Sequence, residues 1–167
     1  MFRDDFVWGV ASSAYQIEGT DPQDGRGEMI WDDFLAEGHG YENQTGEVAC
    51  DHMHRYKDDY SLMKNIGIKA YRFSLNWSRI LPEGTGKINT KAIEMYRDMI
   101  CTMKKNGIKP YITLFHWEFP KALYHKGGWM NPDVVKWFGE YARVVAENFS
   151  DICQDFITFN EPQCVVL

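Results

Sequence analysis

A chain of 167 residues, 44% hydrophobic and 25% charged, carries enough apolar mass for one core and falls outside the composition of disordered segments. A net charge of -6, with no Lys/Arg cluster longer than a pair, argues against a nucleic-acid partner, since phosphate binding needs a basic patch. No window approaches the ~18 consecutive apolar residues of a membrane span. Four scattered cysteines, Cys50, Cys101, Cys153 and Cys164, form no Cys-x-x-Cys pair, and the N-terminus begins with charged residues, so free thiols in a reducing cytoplasm are expected.

In chain order, the segment Phe6 to Ile17, with Val7, Trp8, Val10, Ala11 and Ala14, predicts a first strand running into a polar loop at Gln16-Ile17-Glu18-Gly19. From His52 to Asn65, Tyr56, Tyr60 and Met63 recur at helical spacing, with Asp51 as N-cap and Gly67 as terminator. Asp51, His52 and His54 could suggest a metal site, but their place at a helix start fits capping and packing better, and no metal is expected. A strand from Ile68 to Asn76 follows, entering a loop at Trp77-Ser78-Arg79 that closes at Pro82.

The pattern then repeats. Asn89 or Thr90 caps a helix that buries Ile93, Tyr96, Ile100 and Met103 and stops at Gly107, and the strand Tyr111 to His116 comes next. A third helix starts at Asn131-Pro132, an N-cap followed by Pro at the first helical position, and buries Val134, Phe138, Tyr141 or Ala142, Val145 and Phe149. The strand Phe156 to Asn160 ends the series. Two helix-to-strand junctions nearly rhyme, Lys64-Asn65-Ile66-Gly67-Ile68-Lys69-Ala70-Tyr71 and Lys105-Asn106-Gly107-Ile108-Lys109-Pro110-Tyr111, as a repeated unit requires. A strand followed by helix-strand units predicts an α/β fold with a parallel sheet covered by helices. No Gly-x-Gly-x-x-Gly turn follows the first strand, so a closed (β/α)8 TIM barrel is favoured over a nucleotide-binding doubly wound sheet. Residues 1–167 would supply its first four strands, a half-barrel.

The strand ends carry the chemistry. Asn160-Glu161-Pro162-Gln163 follows the apolar run Phe156-Ile157-Thr158-Phe159, which places a carboxylate at the C-terminal mouth of a buried strand, where barrels do their catalysis. Trp117 directly follows His116 at another strand end. Sugar rings have apolar faces edged with hydroxyls, so an aromatic wall beside polar donors and acceptors suits a carbohydrate.

The chain resembles the N-terminal part of glycoside hydrolase family 1, the β-glucosidase and 6-phospho-β-glucosidase family. The resemblance is carried by Phe6-Val7-Trp8-Gly9-Val10-Ala11, Ala14-Tyr15-Gln16-Ile17-Glu18-Gly19, Ala49-Cys50-Asp51-His52 with Arg55-Tyr56, and Tyr71-Arg72-Phe73-Ser74 with Trp77-Ser78-Arg79-Ile80. It continues through His116-Trp117-Glu118-Phe119-Pro120, Gly127-Gly128-Trp129 and Thr158-Phe159-Asn160-Glu161-Pro162. It implies a retaining β-glycosidase, without cofactor, that removes terminal β-D-glucosyl residues from cellobiose-like or aryl glucosides. Glu161 matches the family's general acid/base, which protonates the leaving glycosidic oxygen and then, as carboxylate, activates water. Gln16, His116 and Asn160 match positions that hold the sugar, Asn160 at the 2-hydroxyl, and Trp117 matches a wall of the same subsite. Arg72 matches a residue beside the nucleophile, where a guanidinium keeps that carboxylate ionised. These residues are expected to converge at the C-terminal ends of four adjacent strands.

The nucleophile itself, a Glu in a Thr-Glu-Asn-Gly-like motif, is not among the 167 residues, and Glu18, Glu28, Glu83 and Glu118 do not match its position. The chain alone is therefore expected to be inactive, and its open edges to call for a partner: the C-terminal half of the barrel on another chain, or self-association. A catalytically inactive half-barrel fragment and a sugar-binding scaffold are the alternatives. The family motif commonly reads His-Trp-Asp-Leu-Pro in β-glucosidases; Glu118 in place of Asp also occurs in the phospho-sugar branch, which keeps a 6-phospho-β-glucosidase open, while Trp117 leans towards unphosphorylated glycosides.

Overall fold

The computed structural model describes residues 1–21 and 23–166. Four parallel strands, β1 (Gly9–Ala11), β2 (Ala70–Ser74), β3 (Lys109–Phe115) and β4 (Phe156–Phe159), lie side by side in the order of the sequence. A doubly wound sheet reverses its strand order at a switch point. Here each crossover adds the next strand on the same side, as the wall of a barrel does.

Between the strands run α1 (Ala14–Ile17), α2 (Ile30–Phe34), α3 (His52–Asn65), α4 (Trp77–Ile80), α5 (Thr90–Lys105), α6 (Lys121–Tyr124) and α7 (Val134–Phe149), with α8 (Gln163–Val166) after β4. The rhyming junctions are two copies of one helix stop. Ile68 and Gly67 donate to the carbonyls of Met63 and Lys64, and Ile108 and Gly107 donate to those of Met103 and Lys104. In each the glycine takes a positive φ, 85° at Gly67 and 75° at Gly107, which turns the chain from helix into strand at little steric cost.

Three local expectations are corrected. Gln16 lies on the one-turn helix α1 rather than in a loop, because the Ser74 hydroxyl accepts from the Ala14 amide at 2.7 Å and the Glu118 carboxylate from that of Tyr15 at 3.3 Å. Trp77-Ser78-Arg79 is helical too, as part of α4, with the Asn76 side chain accepting from the Arg79 amide. Helix α7 begins two residues after Pro132, since the Asn131 side chain accepts from the Asp133 amide and closes a separate turn first. Asn89 is the residue that caps α5, through the Ala92 amide. Asp51 stands at the N-cap of α3 but turns its carboxylate to His54 and Arg55 instead of the backbone, while His52 faces Asp59 and Tyr60.

The core lies between the sheet and the helices. Tyr71 and Phe73 of β2 turn towards it, with Tyr71 against Tyr60 of α3, whereas Arg72 between them points to the opposite face. Helix α5 contributes Ile93, Tyr96, Met99, Ile100 and Met103, and α7 contributes Tyr141, Val144, Val145 and Phe149. Trp77 stacks on Tyr141 with centroids 4.8 Å apart, and the Tyr141 hydroxyl donates to the carbonyls of Leu75 and Leu114, so the buried phenol is satisfied. Burial is uneven across the sheet: β1 is exposed throughout, while β2 and β3 are largely covered. Beside β1, Phe2, Phe6 and Trp8 form an exposed cluster of three rings. All four cysteines are free, and no helix among the described residues is long and apolar enough to cross a membrane.

Candidate active site

At the C-terminal end of β4 the chain fixes Asn160 from three sides. Its amide donates to the Phe115 carbonyl at 2.9 Å, its side-chain oxygen accepts from Arg72 Nη2 at 2.7 Å, and its carbonyl accepts from Trp117 Nε1 at 3.1 Å. Arg72 is held in turn by Thr113, which accepts from Nε at 2.9 Å. The backbone then leaves the strand sharply. Glu161 has φ 46° and Trp117 has φ 82°, both in the left-handed region that non-glycine residues avoid at a cost of ~1–3 kcal/mol. Such strain persists only where surrounding contacts over-determine it, and here it aims the exposed Glu161 carboxylate away from the strand, with Cys164 Sγ 3.7 Å from one oxygen.

His116, half-buried, lies between opposing charges. Burial and the Arg72 guanidinium push its pKa below the ordinary value, against the pull of Glu161. The ring is thus neutral at ordinary pH, and its Nδ1 is buried without a partner among the described residues. Trp117 packs beside it with centroids 5.9 Å apart, and its carbonyl accepts from Trp31 Nε1.

Two carboxylates to which the sequence reading assigned no place in the site, Glu118 and Glu18, are buried next to these residues. Glu118, 1% exposed, accepts from the Ser74 hydroxyl at 2.8 Å and the Tyr15 amide on one oxygen, and from the His116 amide at 3.0 Å on the other. Glu18 accepts from Arg79 Nε at 3.2 Å and from the Tyr96 hydroxyl at 2.8 Å. Arg79 also reaches Asp24 and the Gly19 carbonyl. Gln16 lies on a helix docked at its start by Glu118, through the Tyr15 amide, and followed at once by the anchored Glu18. Both stand inside the recognised motifs; what was missing was any sign that they point inward.

Burial pushes the pKa of Glu118 up to about 7, with the Glu18 charge adding to it, against hydrogen bonds from Ser74 and from backbone amides that include that of Tyr15, which pull it down. From its ordinary 4.5 to about 7 the folded chain then holds a proton that the unfolded chain has lost, so this group's contribution to stability falls as pH rises through the window. The total reaches about 3 kcal/mol at ~1.4 kcal/mol per unit. The melting temperature of Glu118→Gln relative to the unmodified chain should therefore rise from pH 4.5 to pH 7. A difference that stays constant, or falls, over that range counts against the assignment.

The structure thus brings Asn160, Arg72, Trp117 and His116 into one connected group at the C-terminal end of the sheet, with Glu161 following Asn160; among the described residues Gln16 itself makes no hydrogen bond to the group, and on its helix only the amide of its neighbour Tyr15 reaches Glu118. Residues 1–167 match the family described as Glycosyl hydrolase family 1. The β-glucosidase A of Acetivibrio thermocellus is 50% identical over 99% of the chain, and the 1,4-β-D-glucan glucohydrolase of Thermotoga neapolitana is 48% identical over 99%. The family 1 β-glucosidase from Thermotoga maritima superposes over 98% of the chain with a TM-score of 0.94 and 48% identity, and has also been solved in complex with deoxynojirimycin. The chain covers 37% of the Acetivibrio relative, 39% of the T. neapolitana one and 37% of the solved structure, well under half of each. Its four parallel strands match the first part of that barrel.

Proposed function

The chain belongs to glycosyl hydrolase family 1, and from that premise we propose that residues 1–167 are the N-terminal part of a retaining β-glucosidase with Glu161 as its general acid and base. The observation that carries this reading is the Asn160 network: a strand end pinned by Arg72, Trp117 and Phe115 presents the next residue, Glu161, on a strained backbone beside a neutral His116. In the first step Glu161 protonates the glycosidic oxygen as a second carboxylate, ~5 Å away in retaining enzymes, attacks the anomeric carbon. In the second, water attacks the anomeric carbon as Glu161, now a carboxylate, takes its proton, and the bond to the other carboxylate breaks, which releases glucose.

Gln16, His116 and Asn160 bind sugar hydroxyls, Trp117 walls the ring, and Arg72, with Nε and Nη2 occupied by Thr113 and Asn160, lends its charge to the nucleophile. That nucleophile lies on strands outside residues 1–167. Glu18 and Glu118 are unsuited to the role because their oxygens are buried in hydrogen bonds. The presence of Trp117 favours unphosphorylated glucosides.

The test is a barrel completed by joining residues 1–167 to the C-terminal strands of the T. maritima relative. The completed barrel is expected to hydrolyse aryl β-glucosides with retention, and the chain alone to release no aryl leaving group. Turnover by the purified chain, abolished by Glu161→Gln, would refute the need for an outside nucleophile. Glucose binding without turnover in the completed barrel would favour a sugar-binding scaffold.

A further inference from the structure

Glu118 has no part in the chemistry just described, yet it joins the two sides of the sugar subsite. One of its oxygens takes the His116 amide. The other takes the Tyr15 amide and the Ser74 hydroxyl, and that hydroxyl itself accepts from the Ala14 amide. The first two amides of the helix that carries Gln16 therefore end, directly or through Ser74, on the same carboxylate as the backbone of His116. Between His116 and Glu118 the left-handed Trp117 folds the chain back, so that the side chain of Glu118 reaches an amide two residues before it.

We propose that Glu118 is a positioning residue: its three hydrogen bonds set Gln16 and His116 at the separation at which both meet one sugar ring. The proposal rests on the reading of those two residues as sugar ligands. Once ionised, above a pH of about 7, Glu118 accepts from all three groups that approach it, each of which is a donor. A carboxamide would turn its NH2 towards at least one of them, leaving two donors face to face in a buried place. Asp, one methylene shorter, keeps two acceptor oxygens but cannot span the same gap without movement of α1 or of the 116–118 turn.

The test is a set of mutant cycles in the completed barrel, read as kcat/KM for an aryl β-glucoside. Glu118→Gln is expected to cost about tenfold or more, Glu118→Asp less, and most of the Glu118→Gln loss should vanish once Gln16→Ala and His116→Ala are present. A loss of full size in both backgrounds overturns the proposal. If Gln16→Ala and His116→Ala themselves change nothing, it is the sugar-site reading that has failed. Should Glu118→Gln not fold, Ser74→Ala removes one donor and leaves the carboxylate. Its loss should be coupled to Gln16→Ala and additive with His116→Ala, and additivity with both would overturn the proposal.

Discussion

Glu161→Ala in the completed barrel is expected to slow hydrolysis of glucosides with poor leaving groups by roughly 10²–10⁴-fold, the usual worth of a positioned acid. Activated aryl glucosides need little protonation to depart, so they should still form the glycosyl-enzyme. Their second step would then lack its base, and a small anion such as azide should restore the rate by attacking in place of activated water. Glu161 can be replaced without disturbing the site. Its carboxylate is exposed, and the bonds that shape the strand end belong to Asn160. Equal slowing of all substrates, with no response to azide, would make Glu161 a structural residue.

Replacing Arg79 is expected to be the most damaging single change to the fold. Arg79 is 1% exposed, and its guanidinium reaches Glu18, Asp24 and the Gly19 carbonyl. Arg79→Met fills much of the same space but leaves the Glu18 carboxylate buried, with only the Tyr96 hydroxyl for company. Breaking one side of a buried pair typically costs ~3–5 kcal/mol, a large share of the ~5–15 kcal/mol that holds a domain together. The double variant Arg79→Met with Glu18→Gln removes the stranded charge and should recover part of the loss. Denaturant unfolding of the two variants beside the unmodified chain checks this, and a single-variant loss under ~1 kcal/mol would show that water reaches Glu18.

The long elements were legible because their periodicity spans several turns. The helices α3, α5 and α7 each repeat an apolar stripe, and Gly67 and Gly107 announce the stops that the backbone makes. The one-turn helices α1 and α4 carry no such repeat. What makes α1 a helix is a hydroxyl and a carboxylate 60 and 103 positions away, which no local window contains. The site divides in the same way. Glu161, Asn160, His116 and Trp117 stand at strand ends, where a sequence pattern can find them. Glu18 and Glu118 stand inside motifs whose pattern does not show that their side chains turn inward, and only the folded chain shows Ser74, Tyr96 and Arg79 closing on them. The first strand proved shorter than the apolar run suggested: its ladder with β2 begins at Gly9, just after the Trp8 carbonyl accepts from the Lys69 and Ala70 amides, and the rings of Phe6 and Trp8 pack on Phe2.

The uneven burial of the sheet has a consequence in time. A ribosome adding about 5–20 residues per second delivers β1 to β4 and their helices within roughly 10–30 seconds, and the core between them can close in far less. The exposed β1 edge and the rings of Phe2, Phe6 and Trp8 gain nothing from that closure. In any longer polypeptide built on this layer, the interval of greatest exposure to wrong partners is the wait between the closing of the helical side and the arrival of a strand that pairs with β1. Demand for chaperones is then set by the pace of translation beyond β4, not by the stability of the finished fold.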